Sequence, residues 1–217
     1  CTAGFGLFPD SLMRYSRSVT INSVIILLSL AGGLGFFVLR DLTSFGRDML
    51  GRRRQRRLSV HTKLVLATTA IIVGFGTVFI MLGEFGSTAA NPLEKLTNAA
   101  FQAISASTTD GFNTIDIGAM SAASLTVIML LMFVGASPGS TGGGIKTTTF
   151  ALLLLVLRAK LKRRAVNVFG REMSEQCVYS AIIVALCFMF VAFVDTIILS
   201  ATTDAPYINI VFEIFSA

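Results

Sequence analysis

The residues of this chain best suited to chemistry sit in two short glycine-bearing segments, and what they offer is backbone carbonyls. Thr109-Asp110-Gly111-Phe112-Asn113 follows an amphipathic stretch too short to cross a bilayer, and Thr2-Ala3-Gly4-Phe5 is a fainter copy with its glycine 107 residues earlier. Gly111 and Gly4 let the backbone turn so that successive carbonyls face one axis. The carbonyls of Thr2, Ala3, Thr109 and Asp110 would then coordinate a monovalent cation, with Phe112 packed behind as a strut. An ordinary outward turn would use the same residue types. The second copy, placed alike before an apolar span, favours the ion path.

A second segment, Gly135 to Thr147, reads GASPGSTGGGIKT. Gly139 and Gly144 have the spacing of a phosphate-cradling loop, but Ile145 separates Gly144 from Lys146 and an apolar span precedes the loop instead of a strand. Five glycines between positions 135 and 144 cannot hold a helix at about 1 kcal/mol each. Gly135, Ser137, Pro138, Gly139 and Ser140, then Thr141, Gly142, Gly143, Gly144 and Lys146, therefore read as the break in a membrane helix. Such a break is tolerated only against protein or a polar path. It falls below the carbonyl loop, where it can act as an intramembrane gate, with Lys146 placing a positive charge near the path.

These loops need elements to hold them. Asn91-Pro92 starts a helix running to about Ala106, roughly 22 Å long and too short to span. Its carbonyl end, which carries partial negative charge, faces the loop. Asp204 and Pro206 open a similar stretch, and Phe212–Ala217 echoes Phe101–Ala106. Full spans are expected over Ile21–Leu39, Leu64–Leu82 and Val178–Leu199, and half-spans over Ala123–Ala136 and Thr147–Leu157.

Composition agrees with a membrane protein: 53% of residues are hydrophobic, 14% are charged, and mean hydropathy is +0.76. A soluble domain carries about 25% charged residues. The net charge of +6 is concentrated in two linkers, Arg40–Lys63 and Arg158–Arg171. Glu84, Glu94, Asp110, Asp116, Asp204 and Glu213 lie on the opposite connections, so the linkers are expected in the cytoplasm and the glycine-phenylalanine loops outside. The basic runs then suit anionic lipid or a cytosolic partner better than nucleic acid. The three cysteines form no disulfide framework; Cys177 and Cys187, ten positions apart on one span, are expected to be small buried hydrophobes, and His61 an interface residue. Asp195 is expected at the outer interface of its span.

The expected fold is thus an all-α integral membrane protein of repeated span, re-entrant pore helix and span units, with one inward helix broken by a glycine-rich loop. The organisation reads as residues 1–41, filter loop and inward span; 42–63, basic linker; 64–157, one complete unit; 158–176, linker; 177–217, outward span and pore helix. Cys1 at the start, and pore motifs cut at both ends, suggest a piece of a longer protein.

TTDGFNTIDIG followed by LLMFVGASPGSTGGGIKTTTFALLLL closely resembles the third repeat of the Trk/Ktr/HKT superfamily of potassium transporters, and CTAGFGLFPDSL resembles the second-repeat filter. The resemblance covers essentially the whole chain and extends from the second-repeat filter to the fourth-repeat pore helix. It implies four repeats around one pore, a filter glycine in each favouring K⁺, and a gating loop in the third inward helix. It further implies a multi-pass protein of the bacterial plasma membrane, a homodimer, and a cytosolic nucleotide-binding regulatory ring of the RCK type at the arginine-rich linkers. The transported ion would be K⁺; the alternatives are a Na⁺-dependent or Na⁺-selective transporter of the same fold and a membrane ATPase subunit using the glycine-rich loop, and in the K⁺ reading no organic cofactor or enzymatic step is expected. Asp110 departs from the pattern, since Ala3 stands before Gly4 and a small residue is expected before Gly111.

Overall fold

The structure is a computed structural model and describes residues 3–6, 8, 10–50, 57–84, 91–163 and 167–216. Thr2 and the arginines at 52–54 and 56 lie outside the described residues. The order is α1 (Val19–Leu34), α2 (Phe36–Leu50), α3 (Val60–Gly83), α4 (Pro92–Thr108), α5 (Ala122–Val134), α6 (Thr147–Leu161), a hairpin β1 (Asn167–Val168) and β2 (Arg171–Glu172), α7 (Glu175–Thr202) and α8 (Tyr207–Ser216). Hydroxyl caps fix the starts of α1, α3, α5 and α7, where Ser18, Ser59, Ser121 and Ser174 each accept a backbone N–H from three residues on. The hairpin, turning on Phe169 and Gly170, is not anticipated by the helical reading.

Two described helices, α3 and α7, are long and apolar enough to cross a membrane. The core forms where α4 lies between α3 and α5 and also packs on α1. Ala99, Ala103 and Ala106, at helical spacing on α4, meet Ile72 and Ile80 of α3 and Ile128, Leu131 and Val134 of α5. Small residues set this approach: a Cβ on Gly76 would stand 2.6 Å from Leu131 and 3.1 Å from Ala103. In lipid, where apolar surface gains little by leaving the solvent, such close packing is what holds helices together.

The structure departs from the expected full span over Ile21–Leu39. The chain breaks at Gly35 (φ +80°), and α2 leaves α1 at 105°. α2 is amphipathic: Val38, Leu42 and Phe45 share one side, with Val38 fully buried, and Arg40, Thr43 and Arg47 point to solvent. α1 and α2 together are long and apolar enough to be one broken span, and α2 by itself has the amphipathic pattern of an interfacial helix. α7 presents most of its length outward, and Cys177 and Cys187 are exposed on it instead of buried. Asp195 is exposed on the same helix.

Candidate functional site

The site begins at the end of α4. Residues Asn98–Thr108 of this 17-residue helix are nearly all buried, yet at 1.5 Å per residue it is about 25 Å long, short of a span. Pro92 occupies its first turn; Asn91 precedes it without a side-chain cap bond. The helix stops because Thr109 turns left-handed (φ 53°, ψ 42°), its N–H bonding back to Ala106 O, and Asp110 N–H closes on Ser105 O at 2.9 Å. The partial negative charge of the C-terminus is therefore buried at the mouth of the 109–113 loop.

That loop is fastened to its surroundings residue by residue. Ser105 Oγ donates to Phe112 O at 2.7 Å. Asn113 N–H donates to Ser11 Oγ at 3.1 Å, and Leu12 N–H to Asn113 O at 3.0 Å. Gly111 and Gly4 face each other: a Cβ on Gly4 (φ +62°) would fall 2.6 Å from Asp110 O and 3.0 Å from Gly111 Cα. The two motifs read from the sequence are thus brought into backbone contact. Among the described residues, no hydrogen bond reaches the carbonyls of Thr109 and Asp110, whereas those of Phe112 and Asn113 are taken. Ala3 lies in the same first segment; Phe112 is half-buried, with Phe5 almost fully exposed.

Asp110 is 5% exposed, and its carboxylate accepts a hydrogen bond from Ser29 Oγ of α1. Its side chain therefore ties the loop to α1. The sequence reading missed Ser29, Ser11 and Ser105, because hydroxyls recur throughout these segments and only the fold brings these three to the carbonyl loop.

Directly under the end of α4 lies the glycine-rich break, residues 135–146, between α5 and α6 as expected. Gly143 N–H donates to Thr109 Oγ1 at 2.8 Å. Gly142 is buried with no room for a side chain, since a Cβ would stand 2.5 Å from Thr108 O and 3.0 Å from Thr109 Oγ1. The break closes on itself through Ala136 N–H to Gly143 O, Ile145 N–H to Phe133 O and Thr147 N–H to Ala136 O. Thr147 Oγ1 and Ser137 Oγ, both buried, are 3.1 Å apart. Lys146 Nζ donates to Gly142 O and, at 3.4 Å, to Gly143 O. Its charge is solvated by loop carbonyls and meets no carboxylate among the described residues.

Pro138 and Gly139 reach sideways to the α1–α2 elbow. Ser137 N–H donates to Gly33 O and Phe36 N–H to Gly139 O, each at 3.0 Å. Ser140 bonds locally to Ser137 O, while Thr141 and Gly144 complete the loop. The break in one helix is thereby braced against the bend in another. On the other flank of the carbonyl loop, Phe215 and Ser216 at the end of α8 share a small cavity of about 50 Å³ with Gln102, Thr109 and Gly111. Two short helices, α4 and α8, thus end beside the same loop.

Charge separates along the molecule. Arg17, Glu84, Glu94, Lys95 and Asp116 gather around one cavity at the start of α4, with Arg17 Nε 3.3 Å from Glu94 Oε1. Arg40, Arg57 and His61 gather at the far end, beneath Pro138.

The family described as "TrkH: Cation transport protein" matches residues 1–217. "Ktr system potassium uptake protein B" of Bacillus subtilis (strain 168) is 35% identical over 99% of this chain and 48% of its own length. "Potassium/sodium uptake protein NtpJ" of Enterococcus hirae is 34% identical over 100% of this chain and 48% of its own. The crystal structure of the potassium transporter TrkH from Vibrio parahaemolyticus superposes with a TM-score of 0.67 at 21% identity, over 91% of this chain and 41% of that one, and shows the same helical fold. The chain spans about half the length of the curated relatives it matches. It is an integral membrane protein, and it belongs to the TrkH family of cation transport proteins.

Proposed function

We propose that this chain forms part of a K⁺ uptake pathway in the plasma membrane. The apposition of Gly4 and Gly111 at the carbonyl end of α4, with the glycine-rich loop bonded beneath, carries the reading. The carbonyls of Ala3, Thr109 and Asp110, with Thr2 beside them in the chain, replace part of the ion's hydration shell. The carbonyl end of α4 adds favourable potential. The Gly135–Lys146 loop is the gate: it lies under Thr108 and Thr109 and is bonded to Thr109 through one hydroxyl, so a small displacement there opens the path. No bond is made or broken in the transported ion's passage, and no enzymatic step is needed.

The segments 1–41, 64–157 and 177–217 act as one partial, one complete and one partial pore unit, joined by cytoplasmic linkers. The complete protein closes the pore with the remaining units. We assign it a homodimeric assembly and a cytosolic nucleotide-binding ring of the RCK type, docking on the basic linkers, as its partners. Na⁺ is the second candidate ion, favoured by the relative named for both potassium and sodium. The buried, Ser29-bonded position of the Asp110 side chain keeps its carboxylate off the loop's open side and favours K⁺.

The test is uptake of Rb⁺ and Na⁺ into proteoliposomes holding the full-length parent, with and without Gly111→Ser. Rb⁺ preference lost in the variant supports the reading. Indifference of selectivity to Gly111 removes the filter assignment.

A further inference from the structure

A cavity of about 690 Å³ opens beneath the gate loop, and neither the ion path nor the fold accounts for its lining. Arg40 comes from α2, Arg57 from the linker and His61 from the start of α3. Among the described residues neither arginine forms an ion pair. Among the described residues His61 Nε2 has no hydrogen-bond partner; it is shut off from solvent, and its ring stands edge-on to Phe37 at 6.5 Å. Ser44 and Ser59 add hydroxyls, and Phe37 and Phe45 add apolar walls. The one carboxylate among the described lining residues, Asp41, is already engaged: its Oδ2 accepts Ser59 N–H at 3.0 Å.

From this arrangement we infer that the cavity is a phosphate-binding site occupied by the headgroup of an anionic phospholipid, and that its occupancy bears on the gate loop. Two guanidiniums lining the cavity from α2 and the linker, with the hydroxyl residues Ser44 and Ser59 beside them, suit a phosphate, which accepts hydrogen bonds on several oxygens at once. A carboxylate would need one fork and leave the other guanidinium unmatched.

Lipid is the source because of where the cavity lies. α2 is amphipathic and turned by 105° from α1, so it runs in the interfacial plane and sets the cavity at headgroup depth. Phe36 and Phe37 are 64% and 59% exposed, giving an apolar surface at the cavity's edge on which acyl chains can lie. The cytoplasmic leaflet, where the basic linkers are assigned, is also the anionic one.

The link to the gate is direct packing plus one hydrogen bond. Pro138 forms part of the cavity roof. Gly139 lies on the Phe37 ring, with a Cβ there predicted 2.8 Å from Cδ2, and Gly139 O accepts Phe36 N–H. A headgroup that fixes Arg40 and Phe37 therefore fixes the residues on which the loop rests. This inference goes beyond the ion path itself.

The experiment uses the full-length parent in two arms. In the first, native mass spectrometry counts phosphatidylglycerol against phosphatidylcholine retained by wild type and by Arg40→Gln/Arg57→Gln. Wild type should hold one phosphatidylglycerol with about tenfold or greater preference, and the double variant should lose it. Lys160→Gln, on the other linker, should leave it in place. An unchanged count in the double variant overturns the site. Displacement of that lipid by millimolar inorganic phosphate overturns the lipid assignment and makes the ligand a soluble phosphate.

The second arm measures Rb⁺ flux in liposomes with and without phosphatidylglycerol. Wild type should respond and the double variant should not. An equal response in both overturns the link to the gate. A parent that moves no Rb⁺ in either lipid contradicts the proposed function instead, because the retention count does not depend on transport.

Discussion

Gly143 N–H donates to Thr109 Oγ1 at 2.8 Å, and this one bond joins the glycine-rich loop to the residue that terminates the short helix above it. Thr109 is held left-handed at φ 53°, an uncommon state for a β-branched residue, so the hydroxyl is presented at a backbone cost. Thr109→Val keeps that shape and that cost while deleting the acceptor. An N–H left unpaired there costs about 1–3 kcal/mol. The closed arrangement should weaken by that amount. Rb⁺ flux through the parent should rise several-fold, and Gly143 should exchange its amide proton faster. Thr109→Ser should behave as wild type. Equal flux in all three would show that the bond does not hold the gate.

Gly4 and Gly111 are unequal despite their matching positions. A Cβ on Gly4 would press 2.6 Å from Asp110 O, whereas one on Gly111 would meet only Gly4 Cα, at 3.4 Å. Both carry positive φ, which adds about 1–2 kcal/mol for an L side chain. Gly4→Ala should therefore lower the melting temperature and yield of the purified parent more than Gly111→Ala does. The reverse order would mean that the two segments do not pack as described.

Ser29 and Asp110 form a buried pair between α1 and the carbonyl loop. Ser29→Ala leaves a buried carboxyl without that partner and should destabilise the parent by about 1–3 kcal/mol. Asp110→Ala combined with Ser29→Ala should recover part of the loss, because both polar groups leave together. A double-mutant cycle with no coupling would sink the pair as a structural tie.

The break between α5 and α6 was legible because five glycines within residues 135–144 are incompatible with a continuous helix. α4 was legible because Asn91-Pro92 marks a start and Thr-Asp-Gly a stop. The elbow was not: Ala31-Gly32-Gly33-Leu34-Gly35 reads as small-residue packing within one apolar run, and hydropathy alone continues to Leu39. What bends the chain there is tertiary, the bonds from Phe36 to Gly139 and from Ser137 to Gly33. The exposed cysteines follow the same logic, since periodicity does not say which face of α7 this chain covers. Ser29 escaped notice because hydroxyls are common in apolar helices and only the fold brings Asp110 to it.

Gly35 offers a direct test of that tertiary bend. Its φ is +80°, and a Cβ would stand 2.7 Å from Pro138 O. Gly35→Ala should push α2 and the loop apart, raise basal Rb⁺ flux and expose Phe37 to aqueous quenchers in a Phe37→Trp background. This chain holds no tryptophan to obscure that signal. An unaltered quenching profile would mean that the elbow is set by α2 alone.

Asp41 gives the elbow a pH dependence of known sign. It lies on α2, outside the spans, and its carboxyl is held below the ordinary carboxylate range, chiefly by a hydrogen bond from the Thr62 hydroxyl and next by Ser59 N–H. Both partners belong to the capped start of α3, so the ionised carboxylate also faces a helix N-terminus. A group whose folded pKa is depressed contributes stability that is present above its unfolded pKa and lost as pH falls through the folded one. The attachment of α2 to α3 should therefore be constant near neutrality and loosen only in acid, below about pH 4. Asp41 is solvent-accessible, so the effect on melting should be small and salt-sensitive. Asp41→Asn should flatten the wild-type decline in melting temperature between about pH 5 and 3 without altering the value at pH 7 by more than the loss of one exposed hydrogen-bonded charge. A wild-type decline that survives intact in the variant would assign the acid sensitivity to other carboxylates and leave Asp41 as a neutral tether between α2 and α3.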